Sequence, residues 1–224
     1  MRYLGGKNRI RKEISTYLES IRKPGQVYFE PFVGGAWVLQ EMEDPRIASD
    51  GCDPLITMYK ELQNGWVPPD TITKEDYYCW KDSYDIDPMK AFVGFGCSHS
   101  GKYFNGFARS NTRNYCLNAK NSLLKQLPLI KNVTFIYGTF DTHSPENYLI
   151  YCDPPYQNTT KYGYFKSFNY DLFWNTVRKW SKHNTVVISE YSAPKDFTEV
   201  LSIPTKTDMR TDNNHRTEKL FRLL

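Results

Sequence analysis

The sequence has few of the features that would assign it to a metal, a disulfide scaffold or a membrane. Its cysteines are five, Cys52, Cys79, Cys97, Cys116 and Cys152, odd in number and evenly scattered. No Cys-x-x-Cys pair and no His/Cys cluster occurs, so neither a zinc site nor a disulfide framework is expected. No apolar stretch approaches the length of a membrane span, and "MRYLGGKNRI" has no apolar signal core. A reducing cytoplasm and no membrane partner are the expectation. There are no internal repeats and no low-complexity tract. Charge of one sign is also scarce. A formal net charge of +4 permits a polyanionic partner without requiring one. The histidines, His99, His143, His183 and His215, match no triad and are expected on the surface or in turns. What the chain does have is aromatic side chains, 17 Tyr, 13 Phe and 5 Trp. Most of these belong in a core, but rings exposed beside basic groups can stack on bases.

The length suits one α/β domain with an insertion. Ile10, Ile14, Tyr17, Leu18 and Ile21 recur at helical spacing, and "KPG" closes that helix. "QVYFEPF" (26–32) reads as a buried strand and "VGG" (33–35) as a tight turn into a helix begun by "AWVLQEM". "RIASD" (46–50) is a second strand and "PLITMYKELQ" (54–63) a helix. From 64 to 131 the pattern loosens into an inserted, mostly helical subdomain with a Gly/Ser/Asn-rich stretch at 94–115. Regular texture returns with strands in "NVTFIY", "YLIYC" and "TVVISEY" and a helix in "YDLFWNTVRKW". "LSIPTKT" and "EKLFRLL" are expected to close the sheet as a hairpin. The body is thus 1–63 with 132–224, interrupted by 64–131.

The chemistry concentrates at strand ends. "YLIYCDPPY" drives an apolar strand into an acid and two prolines, and prolines end a strand because they cannot donate to its ladder. Asp153 is left at the carboxyl end of a central strand, where open α/β sheets bind ligands. On those residues alone, a plain Pro-Pro stop with Asp153 capping the turn serves equally well. Strand, glycine turn, helix and a strand ending in Asp50, sixteen positions past Gly34, form the layout of a nucleotide-binding unit. "FVGGA" is not G-x-G-x-x-G, however, and a simple tight turn remains open.

Five motifs in order change the balance: "RYLGGK", "FEPFVGG", "ASD", "FNGFAR" and "YCDPPY". Together they resemble the Dam-type (D12 class, alpha group) DNA adenine-N6 methyltransferases over nearly the whole chain. The resemblance implies a Rossmann-like S-adenosylmethionine-dependent methyltransferase sheet (1–63 and 132–224) with a DNA-recognition subdomain at 64–131. It implies a monomer acting on duplex DNA, without a metal, in the cytoplasm of a bacterial or phage-infected cell, as in restriction-modification systems. Tyr3, Lys7, Glu30, Phe32, Gly34, Asp50, Phe140 and Asp153 would hold S-adenosylmethionine, with Asp50 on the ribose and Phe140 beside the adenine. Arg2, Phe104, Asn105, Phe107 and Arg109 would meet DNA, Phe104 as a wedge and Arg109 on a guanine edge. Where the family has Gly-x-Gly in the turn, this chain continues Ala36-Trp37. The stretch after "FNGFAR" is shortened to "SNTRNYC", so GATC is only suggested as the target.

The resemblance gives the strand-end motif a physical reason. Adenine's exocyclic nitrogen is a poor nucleophile because its lone pair is delocalised into the ring. The Asp153 carboxylate and the Pro154 carbonyl would each accept one N6 hydrogen, Pro155 would hold that carbonyl in place, and Tyr156 would stack on the flipped base. Cytosine-C5 chemistry needs a Pro-Cys nucleophile, and no cysteine here follows a proline. Two alternatives remain: transfer to another planar amine, such as RNA adenine or a glutamine amide, and a non-catalytic DNA-binding protein that retains the fold. Asp rather than Asn at 153 argues against the former, the intact motif against the latter.

Overall fold

The computed structural model describes residues 1–157, 164, 167–205 and 216–224. The tail of the "LSIPTKT" segment and His215 lie outside them. Seven strands form one sheet in the order β3-β2-β1-β4-β5-β7-β6. They are β1 (Tyr28–Glu30), β2 (Arg46–Asp50), β3 (Thr134–Tyr137), β4 (Leu149–Cys152), β5 (Thr185–Glu190), β6 (Thr198–Thr205) and β7 (Arg216–Arg222). The first five in spatial order run parallel, with Phe29 opposite both Ile47 and Ile150. β7 pairs antiparallel with β5 and with β6, so the expected closing hairpin is present.

The short apolar strands form the centre because both faces are covered. Tyr28, Leu149, Tyr151 and Val187 face one buried cluster with α1 (Arg11–Ile21) and α2 (Asp53–Gln63). Phe29, Ile150, Cys152 and Ile188 face the other, against Phe173, Val177 and Trp180 of α6 (Tyr170–Trp180). This is the continuous apolar run of a parallel strand buried on both sides, rather than an alternating one. Asn169 starts α6 by accepting the Leu172 N–H at 3.0 Å.

The inserted segment holds α3 (Lys74–Asp82), α4 (Pro88–Ala91) and α5 (Tyr115–Ile130). A reciprocal cap starts α3: Thr73 accepts from the Asp76 N–H, and Asp76 accepts from the Thr73 N–H. Tyr77, Phe92, Phe95, Cys116 and Leu123 of this segment lie in the same apolar cluster as α1 and α2.

One element departs from the sequence reading. The "AWVLQEM" helix is reduced to a single tight turn at Leu39–Glu41, after which Met42 is extended. α5 packs against this turn. Its Gln126 amide donates to the Gly35 and Ala36 carbonyls at 3.0 and 3.1 Å. Arg46 on β2 takes the Leu39 carbonyl at 3.1 Å. The Ala36 and Leu39 carbonyls also accept local N–H groups, from Gln40 at 3.2 Å and Met42 at 3.3 Å, so the short turn and distant side chains share them.

Candidate active site

The chain reverses its direction of spread between β1 and β4, and ligands bind in open α/β sheets at the carboxyl ends of such strands. A pocket of about 200 Å³ lies there. Tyr3, Lys7, Glu30, Phe32, Gly34, Asp50, Phe140 and Asp153, all eight residues expected around a cofactor, line it. They come from four strand ends and the N-terminal loop, which the fold brings together.

The glycine turn is built by close approach. Gly34 has φ +44°, and a Cβ there would stand 2.9 Å from the Tyr3 ring. At Gly35 a Cβ would stand 2.8 Å from the Trp37 indole. Ala36, where the resembling family has glycine, also adopts a positive φ of 54°, a conformation that costs a side-chain-bearing residue about 1–2 kcal/mol. Asp50 clamps the turn: Oδ2 accepts the Gly34 N–H at 3.1 Å and Oδ1 the Cys52 N–H at 2.9 Å. Burial raises its carboxyl to about 6 in spite of these two donors.

Four rings pack along one wall. Phe32 and Phe140 have centroids 5.5 Å apart, and Phe168 lies 5.9 and 5.6 Å from the two. Phe173 backs all three. Tyr103 and Tyr164 complete the lining from the insertion and from the segment after the strand-end motif. The Tyr103 hydroxyl is buried and has no hydrogen-bond partner among the described residues.

Asp153, four-fifths buried, receives the Lys7 ammonium on Oδ1 at 2.7 Å. Burial raises its carboxyl to about 6, with Lys7 pulling it down and Glu218 pushing it up. Glu30 on β1 accepts the Tyr28 hydroxyl at 2.9 Å, and burial lifts its carboxyl well above the usual range. Pro154 is buried, Pro155 lines the pocket, and the Pro155 carbonyl accepts from the Tyr170 hydroxyl at 3.1 Å. Tyr156 stands beside the pocket, 7% exposed, with its hydroxyl donating to Glu218 and lying 2.9 Å from the Ser189 hydroxyl. Glu190, at the end of β5, accepts the N–H groups of Gln157 and Tyr191, and burial raises it to about 7.

Of the residues expected to meet DNA, Phe104, Asn105, Phe107 and Arg109 lie on one loop, and the backbone of Arg2 packs against that loop at Gly101. Phe104 and Phe107 are partly buried against Tyr77, at 5.3 and 5.5 Å. Asn105 and Arg109 are exposed, and Arg2 lies over the Tyr115 ring at 4.3 Å. Lys102 and Tyr103 of the same loop reach the pocket. The Leu4 N–H donates to the Gly101 carbonyl at 3.1 Å, joining the loop to the N-terminal motif.

Sequence reasoning passed over Glu218, Ser189, Glu190, Trp37 and Phe168. Two of them carried a signal. Glu190 ends a strand, as Asp50 and Asp153 do, and Glu218 shares the parity of the buried Leu220 on β7.

Sheet order and pocket together define the class, a Rossmann-like α/β fold with a ligand site at the carboxyl ends of its parallel strands. Within that class, residues 3–86 match the model of the family described as D12 class N6 adenine-specific DNA methyltransferase. The match runs from inside "RYLGGK" through "FEPFVGG" and "ASD" and ends before "FNGFAR". No curated protein matches the chain. Among solved structures, the rRNA methylase from Streptococcus thermophilus is similar at a TM-score of 0.43 and 10% identity, over 96% of each chain. The rRNA methyltransferase aviRa from Streptomyces viridochromogenes gives 0.44 and 10%, over 99% of this chain and 87% of that one. SMU.1697c from Streptococcus mutans, solved with SAH, gives 0.42 and 9%, over 96% and 98%. Likeness at this distance carries no argument about substrate. No helix among the described residues is long and apolar enough to cross a membrane. Among them no group of three or more His, Cys, Asp or Glu side chains could hold a metal ion.

Proposed function

We propose that the protein transfers a methyl group from S-adenosylmethionine to the N6 amino group of adenine in duplex DNA, at a short specific sequence and after base flipping. The observation that carries this reading is Asp153-Pro154-Pro155-Tyr156 at the end of β4, with Asp153 and Pro155 opening on the same pocket as the Gly34 turn and Asp50.

The donor set fits the cofactor. Asp50 presents acceptors suited to a ribose diol, Lys7 and Glu30 place polar groups where an amino-acid end would lie, and Phe32, Phe140 and Phe168 offer ring faces for a purine. When bound, S-adenosylmethionine supplies an electrophilic methyl on a sulfonium. The protein's own part is placement and electrostatics. The Asp153 carboxylate and the Pro154 carbonyl accept the two N6 hydrogens, which favours a pyramidal nitrogen with its lone pair directed at the methyl. The aromatic wall excludes water, and Tyr156 steadies the base. In the inserted segment the exposed Arg109 reads a guanine edge, with Arg2, Asn105, Phe104 and Phe107 at the DNA surface. GATC is the first target to try.

The test is incubation of the protein with methyl-labelled cofactor and duplex DNA, followed by mapping of the modified bases. Label on adenine N6 at a recurring short sequence is expected. Asp153→Ala should stay folded and lose about 10²–10³ in kcat, by analogy with removal of one oxyanion-hole donor. Near wild-type labelling by that variant would falsify the assignment.

A further inference from the structure

Glu218 is buried on β7, 6% exposed, and the described motif residues do not account for it. It accepts hydrogen bonds from the hydroxyls of Tyr156 and Ser189, and its Oε1 stands 3.8 Å from the Lys7 ammonium. Lys7 itself bonds Asp153 at 2.7 Å and sits 4.6 Å from the centre of the Tyr156 ring. One ammonium therefore lies between two carboxylates, bonded to the one that the adenine amino group would need. An amino hydrogen and an ammonium compete for the same Asp153 acceptor, and the ammonium is the stronger donor.

We propose that Glu218 is a positioning residue: it fixes Tyr156 through the hydroxyl and receives the Lys7 ammonium when an amino group engages Asp153. The proposal rests on the adenine-N6 reading of the site. It explains why an acid stands on the apolar face of a sheet strand, next to Leu220, where an uncompensated charge would be costly. The distance is short enough that Lys7 can pass from one partner to the other by rotation of its own side chain. Glu190 and Glu30 face the same space, but Glu190 is committed to two backbone N–H groups and Glu30 to Tyr28.

The variant is Glu218→Gln, which keeps the acceptor for Tyr156 and Ser189 and removes the charge. Turnover should fall about tenfold, the worth of one charge-assisted hydrogen bond, while KM for the cofactor stays within about twofold. Glu218→Asp, which keeps the charge, should recover part of the loss. Lys7→Met/Glu218→Gln should be no slower than Lys7→Met alone, because Glu218 acts through Lys7. Losses that multiply in the double variant, or wild-type turnover in Glu218→Gln, overturn the proposal. A second measurement requires no turnover and so separates this proposal from the function on which it rests. The Asp153 carboxyl, followed by carbon NMR in the free protein, is surrounded by Lys7, Glu218, Tyr156, Glu30 and Glu190. Its titration should move to lower pH in Glu218→Gln, and an unmoved midpoint overturns the coupling even if the DNA substrate has been misassigned. A wild type that modifies no adenine while the midpoint moves overturns the adenine reading and the hand-over with it, leaving only the coupling.

Discussion

At the scale of single residues the proposed transfer to N6 would turn on the protonation of Asp153. A carboxylate would accept one amino hydrogen, whereas a protonated carboxyl loses one acceptor and presents a donor instead. Burial holds this group at about 6, so the reactive form is lost as pH falls through that value. The rate at limiting substrate should then drop with a slope of about one per pH unit below 6. Lys7 draws the Asp153 carboxyl down, so Lys7→Met should move the acid limb to higher pH. A limb that stays in place, or that moves to lower pH, would show that Lys7 does not set the Asp153 carboxyl. The sequence made Asp153 visible through the other four motifs in order, since an acid after an apolar run and before two prolines can equally cap a turn. It did not show Lys7 paired with Asp153, because 146 residues separate the two and only the sheet brings them together.

At the scale of elements the glycine turn is the most constrained piece. Its glycines are needed for space on the protein's own side: Tyr3 and Trp37 press where the Cβ atoms would be. Gly35→Ala would push a methyl into the Trp37 indole at 2.8 Å and towards the Tyr3 Cβ at 3.1 Å. Overpacking of this kind costs about 1–3 kcal/mol, or roughly 2–12 °C in Tm for a chain of this size. Displacement of Tyr3 and Trp37, both in the pocket lining, should also weaken S-adenosylhomocysteine in calorimetry. Gly25→Ala is the control, since φ there is +71° with nothing within 4 Å, and it should cost stability without touching affinity. Equal affinity in both variants would mean that the turn does not shape the cofactor site. Most of the elements themselves were legible, because buried strands and amphipathic helices write their period directly into the chain. The helix after the turn was not. "AWVLQEM" has helical composition, but Gln126 and Arg46, distant in sequence, add donors to the Gly35, Ala36 and Leu39 carbonyls, and Met42 turns extended. The segment 64–131 reads as irregular, yet its Tyr77, Phe92 and Phe95 join the same core as α1 and α2, a tertiary fact with no local signature.

At the scale of the whole molecule the pocket is a store of unfavourable buried charge. Asp50 and Asp153 lie at about 6 and Glu190 at about 7, all above ordinary values of 3.8 and 4.5, and Glu30 is also raised. Each of these groups binds its proton more tightly in the folded state, so each contributes stability at low pH that is lost as pH rises towards 7. His143 and the Met1 amine are lowered and act in the opposite sense. The exposed acids paired with Arg178 and Lys219 are lowered too, but their stability changes only below the ordinary carboxylate range. Between pH 5.5 and 7.5 four raised acids therefore oppose two lowered groups, and the balance of the raised acids should make stability fall as pH rises there. Three of the four raised acids, Glu30, Asp50 and Asp153, line the pocket, and a ligand that uses them as ionised acceptors must bind better when they are ionised. By linkage, S-adenosylhomocysteine should raise Tm more at pH 7.5 than at pH 5.5, while the free protein melts higher at 5.5. Thermal melts of both forms at the two pH values decide it. A ligand increment that is equal at both, or larger in acid, would show that the cofactor is not held by these carboxylates.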